Sequence, residues 1–129
     1  MALQKIRALV LHTIPYRETS LIARVLTAEY GVVSVVAKGA KRKKNVTGIH
    51  FSFSNTLDLE IYYSESRDLH TLKESAVVVE RSALAEKIVA SAVAQVMKEI
   101  VLQSNHGTVG ADELYQLLTR GLDFLTKNE

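Results

Sequence analysis

The stretch Ile49-His50-Phe51-Ser52-Phe53-Ser54-Asn55-Thr56-Leu57-Asp58-Leu59-Glu60-Ile61-Tyr62-Tyr63 alternates almost without fault. Odd positions carry Ile49, Phe51, Phe53, Leu57, Leu59, Ile61 and Tyr63, whereas even positions carry His50, Ser52, Ser54, Thr56, Asp58 and Glu60. Successive side chains of a strand point to opposite faces, so this period of two marks a strand with one face in a core and the other in water. The stretch is long for one strand, which predicts a bend or bulge near Ser54-Asn55.

Upstream, Ile6 to Thr13 is apolar and β-branched, and Pro15, which has no N–H for a ladder, is expected to end it. Ser20–Thr27 and Val32–Ala37 flank the short turn Glu29-Tyr30-Gly31 and read as a hairpin. Downstream, a polar turn from Ser64 to Asp68 leads into a fifth run, Leu69 to Val79. Short strands joined by tight turns and one basic loop suit a small closed barrel better than an open sheet with bare edges.

The pattern changes after residue 80. Ser82 is a candidate N-cap, and Leu84, Ile88, Ala92, Val96 and Ile100 recur at helical spacing beside Ala85, Val89, Val93, Met97 and Val101. Asn105-His106-Gly107 and Gly110 are expected to end this helix. Asp112 is the candidate cap of another, with Leu114, Leu118, Leu122 and Leu125 along one side. The predicted architecture is mainly β then α: a barrel domain over 1–80, then the first helices of a helical domain over 81–129. The doubled apolar stripe is wider than a helix on a barrel needs. It suggests the front part of a longer protein, or helices that find partners in an oligomer.

Composition narrows the function. The 129 residues are 47% apolar and 23% charged, as in ordinary globular proteins, and no apolar run approaches a membrane span. Without Cys there is no disulfide framework, thiolate metal site or Cys nucleophile. The net charge of +2 conceals a strong asymmetry. Residues 1–55 hold nine Lys/Arg against two acids, a net of +7, and residues 56–129 hold seven against twelve, a net of −5. Such a distribution points to an anionic partner for the first half.

The densest basic stretch is Lys38-Gly39-Ala40-Lys41-Arg42-Lys43-Lys44-Asn45. Each cation there can neutralise a phosphate and release a condensed counterion. A solvated turn that only aids solubility, or a nuclear-localisation signal, would carry the same letters. With Lys5, Arg7, Arg17 and Arg24 in the same half, anion binding is the better reading. Tyr16 and Tyr30, both in turns, could stack on bases, while Phe51 and Phe53 fall on the apolar strand face. Enzymatic signatures are missing: His12, His50, His70 and His106 stand alone, no phosphate-loop or nucleophile-elbow motif occurs, and Asp58 and Glu60 lie on the wet strand face. No cofactor, metal or catalytic residue is expected.

Several pieces, in order, resemble the N-terminal part of the RecO family of bacterial recombination mediators: Ala8-Leu9-Val10-Leu11, Tyr16-Arg17-Glu18-Thr19-Ser20-Leu21-Ile22, Leu26-Thr27-Ala28-Glu29-Tyr30-Gly31, Val36-Ala37-Lys38-Gly39-Ala40-Lys41, and Leu69 with Thr71-Leu72-Lys73-Glu74. The resemblance covers roughly residues 1–80. It implies an OB-fold that binds single- and double-stranded DNA, anneals strands and loads RecA, with single-strand-binding protein and RecR as partners, in the cytoplasm at the nucleoid. The family's basic residues match Lys38, Lys41 and Arg42, with Arg17 in the first loop; Arg24, Lys43 and Lys44 join the DNA-binding set on charge alone. Members often carry a proline before the fourth strand, where this chain has Ile49-His50-Phe51-Ser52, and many carry a zinc-binding Cys cluster, whereas this chain has no Cys. The competing reading is a protein-interaction module whose basic groove receives an acidic tail peptide of a partner such as single-strand-binding protein, with the helix stripe docking it.

Overall fold

The computed structural model describes residues 2–42, 45–66, 68–104 and 107–128. Its elements are β1 (Ala2–Tyr16), β2 (Ser20–Thr27), β3 (Gly31–Ala37), α1 (Thr47–His50), β4 (Thr56–Tyr63), β5 (Leu69–Val79), a 3-10 turn (Ser82–Glu86), α2 (Ile88–Gln103) and α3 (Ala111–Lys127). The five strands close into a barrel in the order β1-β2-β3-β5-β4. All pairings are antiparallel except β3 with β5, which meet in parallel over Ser34–Val36 and Leu69–Thr71. This is the strand order of an OB-fold barrel.

β1 serves two partners. Its first half, Ala2 to Leu9, pairs with β4, and the stretch from Ala8 to Tyr16 pairs with β2, with a register shift between Val10 and His12. Pro15 does not end the strand, because it lies opposite Leu21 near the end of the β1–β2 ladder. There β1 has left β4, so one side of the strand has no ladder to which the missing N–H must contribute. The barrel interior mixes small Ala8, Ala23, Ala37 and Ala40 with Val25, Val35, Leu57, Leu59 and Ile61. Small residues are what a five-stranded bore can hold. Leu9, Leu11 and Leu26 point outward and pack with Leu84, Val101, Tyr115, Leu118 and Leu122 of the helical segment. Ala8-Leu9-Val10-Leu11 is thus buried on both faces, which is why it is continuously apolar.

The long alternating stretch is divided. Residues 47–50 form a helical turn and the strand begins at Thr56. Polar side chains satisfy the local backbone there and so compete with a ladder. Asn45 Oδ1 accepts from Thr47 N at 2.9 Å, Ser52 Oγ donates to Gly48 O at 2.6 Å, and Asn55 Nδ2 donates to His50 O at 3.1 Å. Phe51 still reaches the barrel core, while Ile49 is 62% exposed.

The helices also begin differently from expectation. Ser82 does not cap a helix: its N–H donates to Glu80 Oε1 at 3.0 Å and the chain makes only a 3-10 turn. α2 starts after Lys87, whose backbone is extended and whose Nζ donates to Thr126 O (2.5 Å) and Asn128 O (2.8 Å), closing the C-terminal end of α3. Gly110 rather than Asp112 is the N-cap of α3, and Asp112 lies in its first turn, where a carboxylate complements the helix dipole. The expected end signals Asn105 and His106 lie outside the described residues. α2 turns Ala94 and Val101 inward, with Ala90 and Met97 alongside, and leaves Ile88, Val89, Val93, Val96 and Ile100 exposed. Small inward residues permit close approach to the barrel, and most of both expected rows faces away from it. Among the described residues no helix is long and apolar enough to cross a membrane.

Arg81 locks the two parts together. Its side chain is fully buried. Nη1 donates to Ser54 O and Thr56 Oγ1, both at 2.9 Å, Nε donates to Asp123 Oδ1 at 2.9 Å, and Nη2 lies 2.8 Å from the same carboxylate oxygen. Its backbone N–H donates to Asn55 Oδ1 at 2.8 Å. One guanidinium therefore joins the entry of β4 to α3. Arg81→Leu strands the Asp123 carboxylate and two buried acceptors. A loss of about 3–5 kcal/mol is expected in urea unfolding.

His70, one of the histidines that stand alone in the sequence, is buried on β5. Its ring stacks on Tyr63 at 4.4 Å, Tyr63 stacks on Tyr30 at 4.7 Å, and Nδ1 accepts from Ser64 N at 3.2 Å. Burial pushes its pKa below the ordinary 6.5, outweighing the Asp68 charge that would raise it. The folded state thus resists protonation more than the unfolded chain. This contribution is complete above about pH 6.5 and is lost as pH falls from there through the folded pKa. Urea midpoints should drop between pH 6.5 and 5, and His70→Phe, which keeps a stacked ring, should flatten that drop.

Candidate nucleic-acid interface

At one end of the barrel, the β1–β2 turn and the loop after β3 enclose a cavity of about 580 Å³. It is lined by Tyr16, Arg17, Ser20, Lys38, Arg42 and Thr71, among others. The basic loop is held by its backbone. Lys41 N donates to Thr19 O at 2.9 Å, Arg42 N to Gly39 O at 3.1 Å, and Asn45 Nδ2 to Gly39 O at 3.1 Å. Ala40 is buried in the barrel interior. Gly39 has φ +73°, which lets the chain turn sharply so that Ala40 enters the core while Lys38, Lys41 and Arg42 remain exposed.

Arg17 has φ +57°, the left-handed region that non-glycine residues seldom occupy. Its guanidinium carbon lies 5.1 Å from the centre of the Tyr16 ring. A strained residue held at the rim of a cationic cavity commonly marks a functional position. Among the described residues, none of Arg17, Lys38, Lys41 and Arg42 is paired with a carboxylate.

The remaining sequence candidates separate. Arg24 lies on β2 opposite His12 and Ser34 and does not line the cavity, and its Nε is buried without a hydrogen-bond partner. Tyr30 is at the far end of the β2–β3 ladder, roughly 20 Å away at ~3.3 Å per residue, where its ring stacks on Tyr63 and its hydroxyl donates to Gln4 Oε1. Lys43 and Lys44 lie outside the described residues. Arg7 belongs to another face, where Nε and Nη2 donate to the two Asp58 oxygens at 2.9 and 3.2 Å. That contact holds the Asp58 carboxyl below its usual range and occupies it, so Asp58 and Glu60 do not form an acid–base couple. The described residues include no group of three or more His, Asp or Glu able to hold a metal ion. Sequence reasoning missed Thr19 and Thr71, whose only signal is that strand pairing brings them beside the loop.

The cavity combines exposed, unneutralised cations on ordered backbone with a neighbouring aromatic ring, on an OB-fold barrel. Unpaired cations on such a surface are chemically able to take anionic groups. Residues 1–80 match the family described as "Recombination protein O N terminal", and the chain belongs to that family. The "DNA repair protein RecO" of Chlorobaculum parvum is 43% identical over 74 residues, covering 57% of this chain and 28% of that protein. Its counterpart in Salinibacter ruber is 39% identical over 82 residues, covering 64% of this chain and 32% of that protein. The protein of the same name from Chlorobium limicola is 27% identical over 125 residues, covering 97% of this chain and 48% of that protein. The chain thus spans about half or less of these relatives.

Glycine at position 17 would relieve the left-handed strain, which costs about 1–3 kcal/mol, at the loss of a cation–π contact of about 0.5–1 kcal/mol. Arg17→Gly should therefore leave the melting temperature unchanged or slightly raised in thermal unfolding followed by circular dichroism.

Proposed function

We propose that this chain is a DNA-binding module of recombinational repair that grips single- and double-stranded DNA by backbone phosphates. Arg17, Lys38, Lys41 and Arg42 around the cavity form the centre of the contact, with Lys43 and Lys44 continuing the run in sequence, while Arg24, away from the cavity on β2, contributes charge only. The backbone-anchored turn Lys38–Arg42, whose cations have no carboxylate partner among the described residues, carries this reading. Phosphate contacts position a strand without reading bases, so sequence preference is weak, and stacking by Tyr16 is secondary. Strand annealing, RecA loading and contacts with single-strand-binding protein and RecR, in the cytoplasm at the nucleoid, are the roles we propose for the whole protein, with family membership as their support. Residues 1–80 would form the DNA-binding domain and 81–129 the start of a helical one.

A second reading is favoured by one observation, the exposed apolar row on α2. In it the basic groove receives an acidic peptide of a partner while the helix row docks the partner's body. Ligand length separates the two readings. DNA affinity should climb with oligonucleotide length up to a site size, whereas a peptide site saturates at one compact length.

Changing Lys41, Arg42, Lys43 and Lys44 together to Ala should weaken binding to all sequences about equally. On single strands it should reduce the slope of log K against log salt by about three, at about 0.7 per lost contact. An unchanged slope across an anisotropy salt series overturns the assignment.

A further inference from the structure

Lys98 is a cation away from the basic groove that is partly buried and, among the described residues, has no carboxylate partner. Lys98, on the flank of α2, is half-buried, and its Nζ donates to Ser54 Oγ at 2.8 Å. No carboxylate among the described residues pairs with it: Asp123 is taken by Arg81, and Glu99 accepts from Gln103 Nε2 at 3.3 Å. Burial pushes the Lys98 pKa below its ordinary value, as a desolvated ammonium requires. The ammonium opens on a cleft of about 160 Å³ between the Ser52–Ser54 segment and α2, lined also by Arg81, Ser91 and Gln95. That is room for about five waters at ~30 Å³ each. It is smaller than the roughly 300 Å³ at which pockets for organic ligands begin.

We propose that this cleft is a phosphate-binding site. Lys98 has two further protons to donate, Ser54 Oγ keeps its own proton after accepting from Lys98, and the Gln95 amide adds a donor. The Ser52 and Ser91 hydroxyls already donate, to Gly48 O at 2.6 Å and Ile88 O at 3.1 Å, and so have only acceptor capacity left for a ligand. A ring of donors with two acceptors suits an anion that also carries an O–H. Inorganic phosphate does at neutral pH, a terminal phosphate monoester does in its monoanionic form, with a second pKa of about 6, and a carboxylate does not. The site is separate from the groove at residues 17–42 and stands whether or not that groove binds DNA.

The test is an NMR titration of the ¹⁵N-labelled chain, reading the amides of residues 52–54 and 91–98. Inorganic phosphate should shift them saturably where chloride at equal ionic strength does not. Lys98→Gln should weaken the response about tenfold or more, the loss of one charge-assisted contact, and Lys41→Ala with Arg42→Ala should leave it intact. Gln95→Ala, on an exposed side chain, gives a second and gentler reduction should Lys98→Gln fail to fold. A short single strand with a 5′-phosphate that shifts these amides, where the 5′-hydroxyl strand does not, identifies a strand end as the source; response to inorganic phosphate alone identifies the free ion. The proposal is overturned if phosphate acts no differently from chloride, if both variants titrate like the parent chain, or if an acidic peptide moves these amides and phosphate does not.

Discussion

Ala40 is inside the barrel, and much of the rest follows from that. The bore is narrow, and where β3 ends the chain cannot turn away at once, because a small residue three positions beyond Ala37 is drawn into the same interior. The turn that returns Ala40 inward is made by Gly39 and tied to Thr19 O through the Lys41 amide. Lys38, Lys41 and Arg42 emerge beside Arg17 for this reason. The hydrophobic effect fixes the alanine, the alanine fixes the backbone, and the backbone presents the charges. A basic loop of the same composition without that anchor would carry the same charge with no shape.

The elements legible in the sequence are those set by local signals: β2, β3 and β5 as strand-forming runs bounded by turns, and the second half of the alternating stretch by its period of two. The first half was not, because alternation of Phe and Ser also fits a short helical turn that sends Phe51 inward while the serines bond to local carbonyls. Pro15 stays within a strand because strand partners are non-local: whether a missing N–H matters depends on whether a neighbour is present on that side. The charge asymmetry drew attention to the amino-terminal half as a whole, and only the strand pairing separates Arg7, which lies opposite Asp58, from the cations of the basic loop. No local sequence pattern announces Arg81, whose partners Ser54, Thr56 and Asp123 are spread over the chain.

Arg81 also explains why the helical segment begins as it does. With its guanidinium fixed under β4 and its amide on Asn55, the chain leaves the barrel along a set path. A 3-10 turn and an extended Lys87 absorb the change in direction before α2 can start. The inward face of α2 is therefore chosen by geometry at its entry as much as by its own apolar rows, and the bulkier row is left outward.

The divided allegiance of β1 bears on how the molecule assembles. Its later half finds β2 a few residues on, so that pairing and the β2–β3 hairpin can form early and locally. Its opening half must wait for β4, with Ala2 meeting Tyr63. Non-local pairings of this kind are slow to form. On a ribosome, the first strand would remain half-clothed until some sixty residues had followed it out of the tunnel. During that interval the apolar run Ala8-Leu9-Val10-Leu11, destined for burial on both faces, is the part of the nascent chain most in need of protection from its neighbours.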